Sequence, residues 1–263
     1  MAVIFALLGL LLGALINLLA DILPRARRPE VPRCRACGAP RPPRTWLSIV
    51  ALVLGEMRCS YCGASQGVRR LVAELVATIG AVLLSLRYAE AWPLTTGILA
   101  GFVFLLITVI DLEHRLILHM VSIPSAIALG VLRSLDPGQG PAKTLAGGAA
   151  GFLILLAMYG LGIVFSRVLS SARGRPLDDV AFGFGDVMLG GVLGLTLGWP
   201  GVIVAIVLGI LAAGAFSFGM ILFRLYRRTY TAFLAIPYGP FLILGAAFVL
   251  YAGRETLRGL FSG

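Results

Sequence analysis

The chain has 263 residues, 59% of them hydrophobic, with a further 33 glycines and only 13% charged residues. Soluble domains are roughly 45–50% apolar even with glycine counted, and disordered chains need many more charges, so both classes are excluded and an integral membrane protein remains. The net charge of +10 does not indicate nucleic-acid binding here, because positive charge in a membrane protein holds loops on the cytoplasmic side.

Eight apolar runs are expected to cross the bilayer as helices, several of them short of the roughly 20 residues that a span needs. The first, Val3–Leu23, lacks a basic start and is too long for a signal core, so it reads as a retained helix. A polar insertion follows, Pro24 to Arg70, the one stretch able to form a small soluble subdomain. Its apolar patch Trp46–Leu54 is too short to span and suits an interface or a subdomain core. The insertion holds all four cysteines, as Cys34-x-x-Cys37 and Cys59-x-x-Cys62, each pair followed by glycine (Gly38, Gly63). Two such knuckles match a structural zinc site of four cysteines, since each turn aims two thiolates at one metal. A redox pair and an iron–sulfur cluster are the alternatives.

The second span, Leu71–Leu86, carries Glu74 just after Arg69 and Arg70. Glu74 is a candidate contact for an amine or cofactor, or an interfacial partner of those arginines. The third span, Leu94–Ile110, ends on Asp111, with Glu113 and His114 beyond it. Then come Val121–Leu132, preceded by His119, and Thr144–Leu169. The loop after that holds Arg173, Arg175, Asp178 and Asp179 and reads as solvated. Phe182-Gly183-Phe184-Gly185-Asp186 opens the sixth span, Val187–Leu197. Gly198-Trp199-Pro200-Gly201 is a tight turn into Gly201–Phe223, and Thr231–Tyr251 is last. The pairs Gly147-Gly148 and Gly190-Gly191 suit close helix packing in lipid. Asp21, near the end of span one, is accounted for by snorkelling.

With eight spans both termini lie on one side. Placing the insertion in the cytoplasm puts seventeen of the 22 basic residues inside and five outside, so the charges predict both termini outside. The basic first loop then faces anionic lipid headgroups. Three regions result: 1–23, a helix; 24–70, the four-cysteine loop domain; and 71–263, a seven-helix core.

Carboxylates at the ends of apolar spans are costly and are functional candidates. On this topology Asp111 and Asp186 both sit at cytoplasmic ends. If they meet, like charge makes the pair share a proton, so one carboxylate can activate water while the other polarises a carbonyl. Gly183 and Gly185 would let an extended substrate backbone come close. The same carboxylates could instead serve a proton-coupled transporter, or merely cap helices.

Gly183-Phe184-Gly185-Asp186 resembles the GxGD motif of type IV prepilin peptidases. Asp111-Leu112-Glu113-His114 with Ile123-Pro124 is similar to their other aspartate motif, and Ile236-Pro237-Tyr238-Gly239-Pro240-Phe241-Leu242 to the signature near their last helix. The double Cys-x-x-Cys loop, with Arg69 and Glu74 after it, looks like the bacterial family's cytoplasmic domain. The resemblance implies a membrane aspartic endopeptidase of the bacterial inner membrane that removes the short basic leader of type IV prepilins or pseudopilins at the cytoplasmic face. It implies Asp111 and Asp186 as the catalytic pair, Gly183, Gly185, Glu74 and Arg69 near substrate, and Cys34, Cys37, Cys59 and Cys62 on zinc. Many members then methylate the new N-terminus with S-adenosylmethionine. This chain departs from the family pattern at Leu118-His119, at Met188 in place of a lysine, and at Thr78 in place of a glycine. A non-catalytic assembly scaffold is the further alternative these departures leave.

Overall fold

In α1, Ala2–Ile22, the burial pattern is the reverse of a water-soluble helix. Val3, Ile4, Leu7 and Leu11 are exposed, while Gly9, Gly13, Ile16, Asn17 and Ala20 are covered. Large apolar side chains pointing away from the protein, and an inward face made mostly of small or polar residues with Ile16 among them, are what a lipid solvent selects. This is a membrane protein. The computed structural model describes residues 2–24, 31–65, 67–173, 183–228 and 237–261, with the backbone alone in 169–173 and 252–261. The described residues are helices, turns and two isolated β-bridges.

After α1 come a 3-10 turn, Pro43–Thr45, and a short helix α2, Ser48–Val53. The long helices are α3 (Val68–Arg87), α4 (Ala91–His114), α5 (His119–Leu135), α6 (Gly140–Arg173), α7 (Phe184–Leu197), α8 (Gly201–Tyr226) and α9 (Gly239–Phe261). Helices α1 and α3 to α9 therefore overlap the eight expected apolar runs, α9 running on to Phe261, ten residues past the expected end at Tyr251. Four of them, Ala2–Ile22, Ala91–His114, Gly140–Val168 and Gly201–Tyr226, are long and apolar enough to cross a membrane. Shorter apolar helices cover His119–Leu135, Phe184–Leu197 and Gly239–Tyr251. Asp178, Asp179, Arg175, Phe182, Ile236 and the first residues of the last expected span, 231–236, lie outside the described residues.

The chain divides into two compact units, Met1–His114 and Arg115–Gly263. In the first, α1 packs along α3, and α4 packs against both. The close approach comes from Gly9 and Gly13, one helical turn apart. A Cβ on Gly9 would lie 2.6 Å from Thr78 Cα, and one on Gly13 would lie 2.6 Å from Glu74 Cα. A small residue every fourth position lets two backbones touch without side chains between them. The apolar patch Trp46–Leu54 becomes α2, which packs on α3. Its Ser48 and Ala51 are buried, and Leu52, Val53 and Leu54 are exposed.

In the second unit the main contact is α6 on α7, and α5 lies against both. Gly147 and Gly151 of α6 face Gly194 and Gly190 of α7, so this contact is also backbone against backbone. Gly209 and Gly245 do the same for α8 and α9. The expected turn is present: Gly198, at φ +70°, donates its N–H to Gly194 O and ends α7, and α8 starts at Gly201. Arg133 is buried at the end of α5, donating to the Thr196 carbonyl (2.6 Å) and to Asp136 (2.9 Å).

Candidate active site and metal centre

The two knuckles are built alike. Cys34 N–H donates to Ala39 O and Gly38 N–H to Cys34 O; Cys59 N–H donates to Ala64 O and Gly63 N–H to Cys59 O. Gly38 and Gly63, at φ +73° and +69°, take the left-handed conformation that closes each turn, which accounts for the glycine after each pair. The result brings all four sulfurs within 4.8 Å of one another. Cys34 Sγ lies 3.7 Å from Cys62 Sγ, and Cys37 Sγ lies 3.8 Å from Cys59 Sγ. A tetrahedral metal with metal–sulfur bonds of about 2.3 Å holds its sulfurs about 3.8 Å apart, so the four cysteines could hold a metal ion. None is in a disulfide.

Their electrostatics point the same way. N–H donors of Cys37 and Ala36 bring the Cys34 thiol down to about 6. The Ala64 N–H lowers Cys62, but the sulfurs of Cys37, Cys34 and Cys59 outweigh it and push that thiol up to about 12. Four sulfurs this close carry their full negative charge only around a cation.

The knuckles are tied to the helices by a cluster of charges. Arg35, between the first two cysteines, donates to both oxygens of Glu113 (3.0 and 2.8 Å) and to Asp21 (2.5 Å). Arg69 bridges the same two carboxylates, at 3.1 Å to Glu113 and 2.8 Å to Asp21, and Arg70 pairs with the other oxygen of Asp21. Sequence reasoning left Asp21 to snorkelling and gave Glu113 no role. The available signal was that each ends an apolar span close to an arginine-rich loop.

Glu74 is held by protein groups other than the side chains of Arg69 and Arg70 among the hydrogen bonds of the described residues. It is fully buried, and its carboxylate accepts from the backbone N–H of Ser48 (2.8 Å) and Ile49 (3.0 Å), and from the Asn17 amide (3.2 Å). It thus satisfies amides that open α2, where a carboxylate is favoured. Arg69 and Arg70 turn instead to Asp21. Asn17, a polar residue inside an otherwise apolar run, was the overlooked hint.

Asp111 occupies the last turn of α4 and is 5% exposed, following the buried run Ile107, Val109 and Ile110. In the second unit, Asp186 is the third residue of α7. Its Oδ2 accepts from Gly183 N–H (3.1 Å) and its own N–H donates to Gly183 O (3.0 Å). The run Gly183 to Asp186 is therefore the helix start itself, and the carboxylate both caps it and lies at its positive end. The two glycines differ. A Cβ on Gly185 would lie 2.8 Å from Ile117 Cβ, so close packing inside the unit demands glycine there. A Cβ on exposed Gly183 would meet only ordinary contacts. Phe184, 44% exposed, lies beside the exposed His119 ring (6.4 Å between centroids) and edge-on to Tyr159 (6.1 Å). Tyr238 and Pro237 precede α9, and the Tyr238 carbonyl accepts from Phe241 N–H.

A model of the type IV leader peptidase family matches residues 97–218, and one of the bacterial peptidase A24 N-terminal domain matches residues 7–88. The chain belongs to the type IV leader peptidase family. Asp111 and Asp186 fall in the first match; the four cysteines, Arg69 and Glu74 fall in the second. The chain is similar to proteins named prepilin leader peptidase/N-methyltransferase. That of Aeromonas salmonicida strain A449 is 26% identical over 87% of this chain and 74% of the relative. That of Pseudomonas aeruginosa is 25% identical over 96% and 90%, and that of Xanthomonas campestris pv. campestris is 27% identical over 82% and 68%. No solved structure gives a significant match.

Proposed function

We propose that this protein is a membrane aspartic endopeptidase that cleaves the basic leader from type IV prepilins or pseudopilins, with Asp111 and Asp186 as its catalytic pair. The carrying observation is that both aspartates, one buried at a helix end and one at the opening of a glycine-flanked helix, fall within the match to the leader peptidase family. In the proposed reaction the pair holds one proton. The ionised carboxylate takes a proton from water as it attacks the scissile carbonyl. The protonated one donates to the carbonyl oxygen, and collapse of the tetrahedral intermediate delivers a proton to the departing amine.

The metal of the four-cysteine site is proposed to be zinc, held by four thiolates in a structural role, since no coordination position remains open. The protein is proposed to lie in the bacterial cytoplasmic membrane with the cysteine loop inside, both termini outside and its basic loop against anionic headgroups, supported by the arginine distribution. The relatives' names carry methyl transfer as a second activity, for which the donor here would be S-adenosylmethionine.

The test is cleavage of a co-reconstituted prepilin, read by mass spectrometry, with D111N and D186N. Each substitution should abolish leader removal, and full cleavage by either overturns the assignment. The same spectrum shows whether the new N-terminus carries a methyl group. Proton flux without proteolysis would favour the transporter reading.

A further inference from the structure

We infer that Arg35 is a positioning residue that transmits metal-site order to Asp111 through Glu113, an inference that rests on Asp111 being catalytic as proposed above.

Arg35 stands between two metal-site cysteines, so a bound metal holds its backbone. Its guanidinium leaves the knuckle and forks onto both oxygens of Glu113, a bidentate geometry that fixes orientation as well as distance. Glu113 is two residues beyond Asp111 on the last turn of α4, and its side chain is only 21% exposed. Asp21, at the end of α1, binds the same guanidinium. Arg69 also holds Glu113, and Arg69 and Arg70 both hold Asp21, but both belong to α3, which already packs along α1 and against α4 and so carries no link to the metal loop. Arg35 is the arginine of this cluster that comes from the cysteine loop. Helix ends fray because their last carbonyls lack partners within the helix. A carboxylate clamped just after Asp111 suppresses that fraying where small displacements of a catalytic group cost rate. The loop is thereby more than a fold staple, because metal binding sets the order of the helix end that carries Asp111.

The experiment uses the full chain in liposomes, with R35A, E113Q and R35A/E113Q. All should retain one zinc per chain, because neither side chain is a ligand. Each single variant should lower kcat by roughly five- to tenfold with KM unchanged, as expected for partly exposed charge-assisted hydrogen bonds. The double variant should be no worse than E113Q alone, since E113Q already weakens the Arg35 contact together with that of Arg69, and R35K should recover part of the R35A loss. The second readout is hydrogen exchange at residues 111–114, independent of activity. Zinc removal should accelerate exchange there in the wild type and add little in R35A.

An R35A variant with wild-type kcat, or zinc-dependent exchange at 111–114 that survives R35A, overturns the inference. If R35A does not insert, R35Q, which keeps a polar side chain but loses the charged two-pronged contact with Glu113, carries the same two readouts. Cleavage that persists in D111N would overturn the catalytic reading of Asp111, while the exchange measurement would still decide whether Arg35 links metal to helix.

Discussion

Gly183 and Gly185 stand two residues apart in one motif, yet their reasons for being glycine differ. At Gly185 a methyl group would press on Ile117 Cβ at 2.8 Å, and at Gly183 it would meet nothing closer than the Asp186 carboxylate at 3.7 Å. G185A should therefore cost about 1–3 kcal/mol through overpacking, seen as a lower melting temperature in detergent. G183A should melt like the wild type, so any loss of cleavage in that variant reports on substrate access. A matching melting loss in the two variants would contradict this division. The motif was legible as a string of residues. Which glycine serves the fold was not, because Ile117 is far from Gly185 in the chain.

At the scale of the element, α2 and the cysteine knuckles show how short segments hold together in this chain. Helix α2 has six residues, below the length at which a helix is stable alone. Two of its first N–H groups end on Glu74, a fully buried carboxylate of α3. E74A would leave those amides and the Asn17 side chain short of an acceptor, with an expected loss of about 2–4 kcal/mol. E74Q keeps one acceptor oxygen and should lose less. Both are read by thermal melting, and equal losses would show that the charge, rather than the acceptors, matters. With the proposed metal bound, the knuckles are expected to depend on it in the same way. Chelation should release the ion, expose all four thiols to an alkylating reagent and speed proteolysis within 31–65, while α6 and α7, packed backbone to backbone on glycines, should remain protected from exchange. Protection of the thiols from alkylation after chelation would argue for another cross-link. The knuckle spacing was readable because two cysteines and a glycine make one turn from local contacts alone. The partner of Glu74 was not, since arginines adjacent in the chain seemed the nearer choice, and those arginines turn to Asp21 instead.

For the molecule as a whole, the positive-inside count and the structure treat the arginines differently. The count takes every arginine as a topological signal, whereas Arg35, Arg69 and Arg70 are committed to carboxylates and Arg133 is buried on Asp136 and a carbonyl. Labelling of single cysteines placed near each terminus, in intact cells, should modify both from outside, and a reagent that reaches either terminus only from the cytoplasmic side would reverse the proposed orientation. M188K, which restores the lysine that the resembled family carries two residues after its aspartate, should change the pH profile of cleavage more than the melting temperature. An unchanged profile would show that this position does not tune Asp186. The sequence by itself determined the membrane class, the apolar runs that become the long helices among the described residues, and the paired cysteine knuckles, because apolar run length, turn chemistry and cysteine spacing act over a few neighbouring residues. It also marked the two aspartates as costly where they stand. Only the tertiary structure decided which glycines let helices touch, that Glu74 serves α2, and that Arg35 reaches from the metal loop to the end of α4. Those contacts join residues dozens of positions apart, and no local spacing encodes the direction in which a long charged side chain finds its partner.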